Sequence, residues 1–175
     1  DYLDFSLQFA PPGPEEKDIR DKLARLGIGA GKKFDFKALS PEQKAAVIEG
    51  VKTGEAKVKA FLAGGLKDIN GWKVGNWFGD RAFYNGNWLK RAAGAQGGIY
   101  GNDSIEATYP LTKTLADGEL LDGSKHNYTL TFTAEQYPPV NAFWSVTMYD
   151  GKSQLLIKNP INRYLINSPM EPNLK

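Results

Sequence analysis

Acidic side chains cluster in the second half of the chain, where Asp117, Glu119 and Asp122 lie within six positions of one another. Paired carboxylates can act as general acid and base in glycoside hydrolysis, and clustered carboxylates can hold a cation. Asp117 and Asp122 each precede a glycine, however, and Asp-Gly pairs favour turns in which the aspartate bonds to nearby backbone. The pattern favours turn chemistry, with cation binding and catalysis as the alternatives.

Arg163 is the candidate anion-binding side chain, in the stretch NPINRY at 159–164. A guanidinium group can bind a carboxylate or phosphate through two parallel hydrogen bonds, or tie a turn through backbone carbonyls. Asp150, which begins another Asp-Gly pair, is a candidate partner by residue type. A structural role is favoured for Arg163, and ligand binding is the alternative.

Aromatic residues form 12% of the chain and supply three further candidate ligand contacts, Tyr84, Trp88 and Trp144. Such rings could line a sugar-binding cleft, as in the lectins among the jelly-roll folds. Because large aromatic side chains also dominate protein cores, core packing is the favoured role and sugar binding the alternative.

The glycine-rich stretch 27–33, GIGAGKK, invites comparison with a phosphate-binding loop. The Walker pattern needs four residues between its glycines and Ser or Thr after the lysine. Here three residues separate Gly27 from Gly31, and Lys33 occupies the last position. A helix C-cap followed by a loop is therefore favoured over nucleotide binding.

Composition excludes several other chemistries. The chain has no cysteine and one histidine, His126, so thiol catalysis, disulfides and Cys- or His-rich metal sites are excluded, and no cofactor is expected. Ser145 and Thr147 have no evident His–Asp partners for a hydrolase triad. The net charge of +2 gives no nucleic-acid signature, and no apolar run has membrane-spanning length.

The pattern predicts an α+β protein with three segments: a helical segment at 1–65, an aromatic and glycine-rich segment at 66–103, and an antiparallel β domain at 104–175. In the first, Ser40, Pro41 and Gln43 form a capping box that starts a helix ending near residue 63, with a kink near Gly54 as an alternative. A second helix is predicted over 15–26.

In the middle segment, the spacing of apolar residues predicts one short helix over about 82–96. Its buried face would comprise Tyr84, Trp88, Ala92 and Ala95. In the last segment, 128–133 alternates apolar residues with threonine, and 142–149 is an apolar run typical of a central strand. Short strands are also expected at 155–158 and 163–166. We expect the β core to bury Leu130, Phe132, Val140, Phe143, Trp144, Val146 and Met148.

Three stretches carry a resemblance to known families. YPPVNAFWSVTMYD at 137–150 and NPINRY at 159–164 resemble the core signature of the paired domain-of-unknown-function families DUF1254 and DUF1214, and GIGAGKKFD at 27–35 resembles the segment between their two parts. The resemblance implies a bacterial, periplasmic or secreted protein with a helical connector packed on a jelly-roll-like C-terminal domain. It implies no catalytic residue.

Members of these families extend beyond both ends of this chain, which begins at Asp1 and ends at Lys175. The chain is therefore expected to be a fragment whose sheet is completed by another copy or by another fragment of the same precursor. The favoured function is a non-catalytic binding or structural module for a glycan or polypeptide. A hydrolase that acts on glycans or related polymers through carboxylates is the alternative.

Overall fold

The structure, a computed structural model, describes residues 2–173. Asp1 and Lys175, on which the fragment expectation rests, lie outside the described residues. Internal contacts divide the chain into unit 1, Asp1–Thr112, and unit 2, Lys113–Lys175. Helices and two small antiparallel sheets confirm the predicted α+β class.

Unit 1 holds the helices. They are α1 (Tyr2–Leu7), α2 (Lys17–Ala24), α3 (Pro41–Gly64), α4 (Arg81–Tyr84) and α5 (Trp88–Gly98), with 3-10 turns at Pro14–Glu16 and Phe36–Ala38. Helix α3 packs against α5. In the described part of the chain, no helix has both the length and the apolar character needed to cross a bilayer.

The predicted capping box at the start of α3 is confirmed. The Ser40 hydroxyl accepts a hydrogen bond from the Gln43 backbone amide at 3.2 Å, and the Gln43 side chain accepts one from the Ser40 amide at 2.9 Å. Two amides of the first turn thereby gain acceptors that the helix cannot supply. The helix then continues without interruption past Gly54 to Gly64.

The single helix predicted over 82–96 is wrong, because the chain forms two helices there. Asn85 (φ 42°) and Gly86 (φ 74°) adopt left-handed conformations that end α4, and Asn87 caps α5. The break resets the helical phase, so Ala93 and Gly94 are buried while the predicted Ala92 and Ala95 are exposed.

A hairpin that the sequence analysis did not predict follows α3. Strands β1 (Lys67–Ile69) and β2 (Trp72–Val74) pair antiparallel around Asn70-Gly71, and both turn residues have positive φ. This is the geometry of a two-residue hairpin turn, for which Asn-Gly is the strongest short signal. Lys73 extends the ladder through reciprocal backbone bonds to Leu111 at 2.7 and 3.1 Å.

Unit 2 contains one two-stranded sheet, in which β3 (Ser145–Thr147) pairs antiparallel with β4 (Leu165–Asn167). A 3-10 stretch, Ser168–Asn173, follows β4. Asp117-Gly118 and Asp150-Gly151 form the predicted reversals, each beside an isolated bridge. The strand expected over 128–133 is wrong, and the one expected over 155–158 is reduced to a bridge at Leu156.

The predicted β core is wrong for the chain by itself. Val140, Phe143 and Met148 are 48%, 59% and 66% exposed, and Trp144 is half-buried. A two-stranded ladder has no second layer to cover its side chains, so apolar residues along it stay accessible to water. The residues concerned are Leu130, Phe132, Val140, Phe143, Trp144, Val146 and Met148.

Candidate functional site

A surface pocket of about 210 Å³ lies within unit 1, between the start of the 3-10 turn at Pro14–Glu16 and the α4–α5 region. Its lining combines charged side chains, two aromatic rings and two glycines: Glu15, Gly79, Asp80, Arg81, Tyr84, Gly86, Trp88 and Arg91. Two residues predicted as ligand contacts, Tyr84 and Trp88, therefore line the same pocket.

The break between α4 and α5 positions these two rings. The Asn85 amide bonds to the Arg81 carbonyl at 2.9 Å, which closes the end of α4. The Asn87 side chain accepts from the Lys90 amide at 2.9 Å, which starts α5. Tyr84 is fixed by its hydroxyl, which donates to the Trp77 carbonyl at 2.6 Å.

The buried carboxylate of Glu16 faces three arginines, two of which, Arg81 and Arg91, line the pocket. Arg20 donates through both Nε, at 2.8 Å, and Nη2 to the same oxygen, Glu16 Oε2. Nη1 of Arg81 and Nη1 of Arg91 each lie 3.6 Å from Glu16 Oε1. The Arg20 hydrogen bonds, aided by the charges of all three arginines, lower the pKa of Glu16 despite its burial.

Arg81 joins the two sides of the pocket. Its Nη1 lies 3.3 Å from Glu15, and its Nη2 donates to the Pro11 carbonyl at 3.4 Å. Gly13 is buried against this contact, because a Cβ added there would lie 2.1 Å from Arg81 Nη1 and 2.5 Å from the Glu15 oxygens. A side chain at Gly13 would therefore displace the Arg81–Glu15 pair.

Cations lie near two of the rings of the α4–α5 region. The Arg91 guanidinium carbon is 5.8 Å from the Trp88 ring centroid, and Lys90 Nζ is 3.4 Å from that of Phe83. Such contacts are favourable by about 0.5–1 kcal/mol at exposed sites. They hold Arg91 beside Trp88, so the pocket presents a guanidinium group and an aromatic ring together.

The other three predicted site residues lie in unit 2. The Trp144 ring belongs to an aromatic cluster with Phe132 and Tyr137, with centroids 5.6 and 6.4 Å away. The Arg163 backbone is tied to Asn159, whose side chain accepts from the Arg163 amide and donates to its carbonyl. The stretch around Arg163 is thus a local turn closed by Asn159.

Asp150 is engaged by its own turn. Its Oδ1 accepts from the Ser153 amide at 2.7 Å and the Ser153 hydroxyl at 2.8 Å, and these bonds lower the pKa of Asp150. Within residues 2–173, no ion pair joins Asp150 to Arg163.

Two members of the acidic cluster at 117–122 have turn roles. Asp117 Oδ1 accepts from the Glu119 amide at 3.0 Å. Asp122 Oδ1 accepts from the hydroxyl and the amide of Ser124, and the hydroxyl bond is the main cause of its lowered pKa. Over the described part of the chain, no three acidic, His or Cys side chains are grouped as metal ligands.

The glycine-rich loop at 27–33 is held by an internal carboxylate. Asp4, which is 3% exposed, accepts from the Gly29 amide at 2.7 Å and from the Phe34 amide at 3.1 Å. These amides are the type of donor that a phosphate loop offers to its ligand. The Gly29 bond is the main cause of the lowered Asp4 pKa, about 2.

The charged half of the pocket was not predicted from the sequence. Glu16 and Arg20 carry a readable signal, the i, i+4 spacing of opposite charges. Arg81 and Arg91 carry none that links them to Glu16, since 65 and 75 positions separate them from it.

Comparisons with known proteins describe the chain without assigning an activity. Residues 106–175 match the family described as protein of unknown function (DUF1214). The crystal structure of the VPA0106 protein from Vibrio parahaemolyticus is similar to 95% of the chain, with 28% identity and a TM-score of 0.67. The chain spans 39% of that protein's length. A search of curated proteins found no match.

Proposed function

We propose that this chain is a non-catalytic binding module whose unit 1 pocket accepts one residue of a glycan. The observation that carries the proposal is the presence of Tyr84 and Trp88 in one pocket beside Arg81 and Arg91. Tyrosine and tryptophan offer an apolar ring together with a polar handle, which suits the mixed surface of a sugar.

The volume of the pocket limits the size of what it holds. Sites for drug-sized ligands and cofactors occupy about 300–1,000 Å³. At about 210 Å³, the pocket lies below this range. This volume suits a single ring from a longer polymer rather than a dinucleotide or another large cofactor.

The test is a titration of the chain with neutral and acidic oligosaccharides. Calorimetry measures binding, and analysis of the products measures turnover. Saturable binding without turnover is expected, and Trp88→Ala should weaken it at least about tenfold, a loss of ~1.4 kcal/mol. Tyr100→Ala is the matched control, because Tyr100 is 91% exposed and does not line the pocket. Equal losses in both variants would contradict the proposal.

A glycan hydrolase is the second candidate, because two carboxylates, Glu15 and Asp80, line the same pocket. Both have structural partners: Glu15 pairs with Arg81, and Asp80 caps α4 by accepting from the Phe83 amide at 2.8 Å. Turnover that is lost in Glu15→Gln and in Asp80→Asn would establish this function. Asn retains the capping acceptor, so the second variant isolates the charge.

For unit 2 we propose completion of the sheet by another polypeptide, either a second copy or another fragment of the same precursor. Two observations support it: within residues 2–173, β3 and β4 pair only with each other, and apolar residues such as Val146 and Met148 are exposed. Val146→Lys should abolish self-association measured by light scattering, whereas Lys158→Glu, as an exposed control, should not. A monomer at all concentrations would contradict partnering by a second copy.

The family resemblance supports the remaining proposals. These are a jelly-roll-like fold for the completed β domain, pairing with a DUF1254-type region, and a bacterial periplasmic or secreted location. The segment boundaries 1–65, 66–103 and 104–175 belong to the same proposal. Limited proteolysis tests them, because cleavage should concentrate near residues 65 and 103 if the segments are independent.

A further inference from the structure

Arg91 has unused hydrogen-bonding capacity at the pocket. Its side chain is 52% exposed, and its one ion pair within residues 2–173 is the 3.6 Å contact with Glu16, which is longer than a hydrogen bond. A guanidinium group carries five N–H donors. The Arg91 donors are therefore available to a ligand, whereas the Glu16 carboxylate is already bound by Arg20.

Arg81 is held more firmly, but it also retains capacity. Its bonds to Glu15 and to the Pro11 carbonyl are long, at 3.3 and 3.4 Å, and its side chain is 54% exposed. Two guanidinium groups thus line a pocket that also contains the Trp88 ring. A ligand that combines an anion with an apolar ring face would meet both features.

We propose that the sugar bound in this pocket carries a carboxylate, so that the ligand is a uronic-acid residue of an acidic polysaccharide. This inference rests on the glycan-binding function proposed above. The ring of the sugar packs on Trp88, and its carboxylate accepts hydrogen bonds from Arg91 and Arg81. Arginine suits this role because its planar fork matches the two oxygens of a carboxylate.

The charge balance of the lining favours a carboxylate over a phosphate ester. The lining holds two cations, Arg81 and Arg91, and two anions, Glu15 and Asp80, and the buried Glu16 carboxylate lies 3.6 Å from both arginines. A phosphate monoester carries about −1.5 to −2 charges at neutral pH, which these carboxylates would repel more strongly than the single charge of a uronate. Because the charges of the lining already balance, a ligand with one negative charge is repelled less than a ligand with two.

The test compares trigalacturonate with its methyl ester, in which each carboxylate is replaced by a neutral ester, and uses glucose 6-phosphate as a third probe. Calorimetry on the full chain should show trigalacturonate binding about 10- to 100-fold more tightly than the ester, the range for hydrogen bonds to a charged group. Arg91→Gln and Arg81→Gln should each reduce this ratio. Arg25→Gln, an exposed charge outside the pocket, should leave it unchanged.

The outcomes separate this inference from the function on which it rests. Equal binding of acid and ester overturns the inference and leaves the glycan-binding function standing. If the acid, the ester and the neutral oligosaccharides all fail to bind, both proposals are overturned. An acid preference that persists in both arginine variants, or tighter binding of glucose 6-phosphate, overturns the inference. The ester comparison needs no substitution, so it holds even if a variant fails to fold.

Discussion

Unit 1 buries charged side chains, whereas the described part of unit 2 buries no residue. Unit 1 buries two carboxylates, Asp4 at 3% and Glu16 at 5% exposure, and each is surrounded by donors from distant parts of the chain. In unit 2, none of residues 113–171 is buried, although this region holds the aromatic cluster around Trp144. Unit 1 is thus organised by polar contacts that are satisfied internally.

The difference follows from how helices and strands satisfy their backbone groups. A helix bonds within its own segment, so capped helices such as α3 form from local sequence. A strand needs a neighbour for its backbone and a second layer for its apolar face. Unit 2 supplies one such neighbour pair, β3 and β4, and many of its large apolar residues stay exposed.

Loss of the Glu16 charge should be the strongest way to disrupt unit 1. Glu16→Gln leaves Arg20, Arg81 and Arg91 without their shared anion. We expect a loss of about 1–3 kcal/mol in the free energy of unfolding. This is below the largest losses measured when one partner of a buried ion pair is removed, because Arg81 and Arg91 are half exposed. Urea denaturation measures it. Asp21→Asn, which removes the exposed pair with Lys17, should have no measurable effect.

Asp4 should make unit 1 sensitive to acid. Its folded pKa is about 2, below the ordinary value of 3.8, so its ionised form stabilises the fold above pH 3.8. This stabilisation is lost as the pH falls through about 2. The melting temperature of Asp4→Asn should therefore lie below that of the parent chain at pH 6 and approach it near pH 2. A constant difference across this range would contradict the role of Asp4.

Ser40→Ala should have a smaller effect, restricted to the start of α3. The Gln43 amide loses its acceptor, which costs about 0.5–2 kcal/mol. Thermal unfolding measures the loss. Ser40→Asp, which keeps a capping oxygen, serves as the control and should retain most of the stability. Equal stability of the alanine variant and the parent chain would show that the cap is dispensable.

Local signals account for most of what the sequence predicted correctly. The Ser40 capping box and the Asp117-Gly118 turn depend on residues within three or four positions of each other, so one sequence suffices to find them. The same is true of Asn70-Gly71, a hairpin signal that the sequence analysis did not use. The break at Asn85 was missed because a helical pattern of apolar residues continues across it.

Features that depend on contacts between distant parts of the chain could not be predicted from the sequence. Tyr84 and Trp88 were candidate ligand contacts by residue type. They line one pocket with Arg91 and Glu15 because the α4–α5 region packs against residues 13–16. The burial predicted for the 142–149 run was wrong for a related reason. An apolar strand pattern indicates that a strand needs a covering layer and does not say which segment provides it.

Gly13→Ala should produce the smallest change in stability and the sharpest change in the pocket. Gly13 has φ −78° and ψ 162°, which alanine adopts without strain, so the backbone can gain about 0.4–1 kcal/mol through the unfolded state. The added Cβ would lie 2.1 Å from Arg81 Nη1, so the Arg81–Glu15 pair must move, and that movement offsets part of the gain. We expect nearly unchanged thermal unfolding together with weaker oligosaccharide binding by calorimetry.

Gly123→Ala in unit 2 is the matched control, since its Cβ would meet nothing within 4 Å. If Gly13→Ala binds as the parent chain does, the position of Arg81 does not matter to the ligand, and the polar organisation of unit 1 is structural rather than functional.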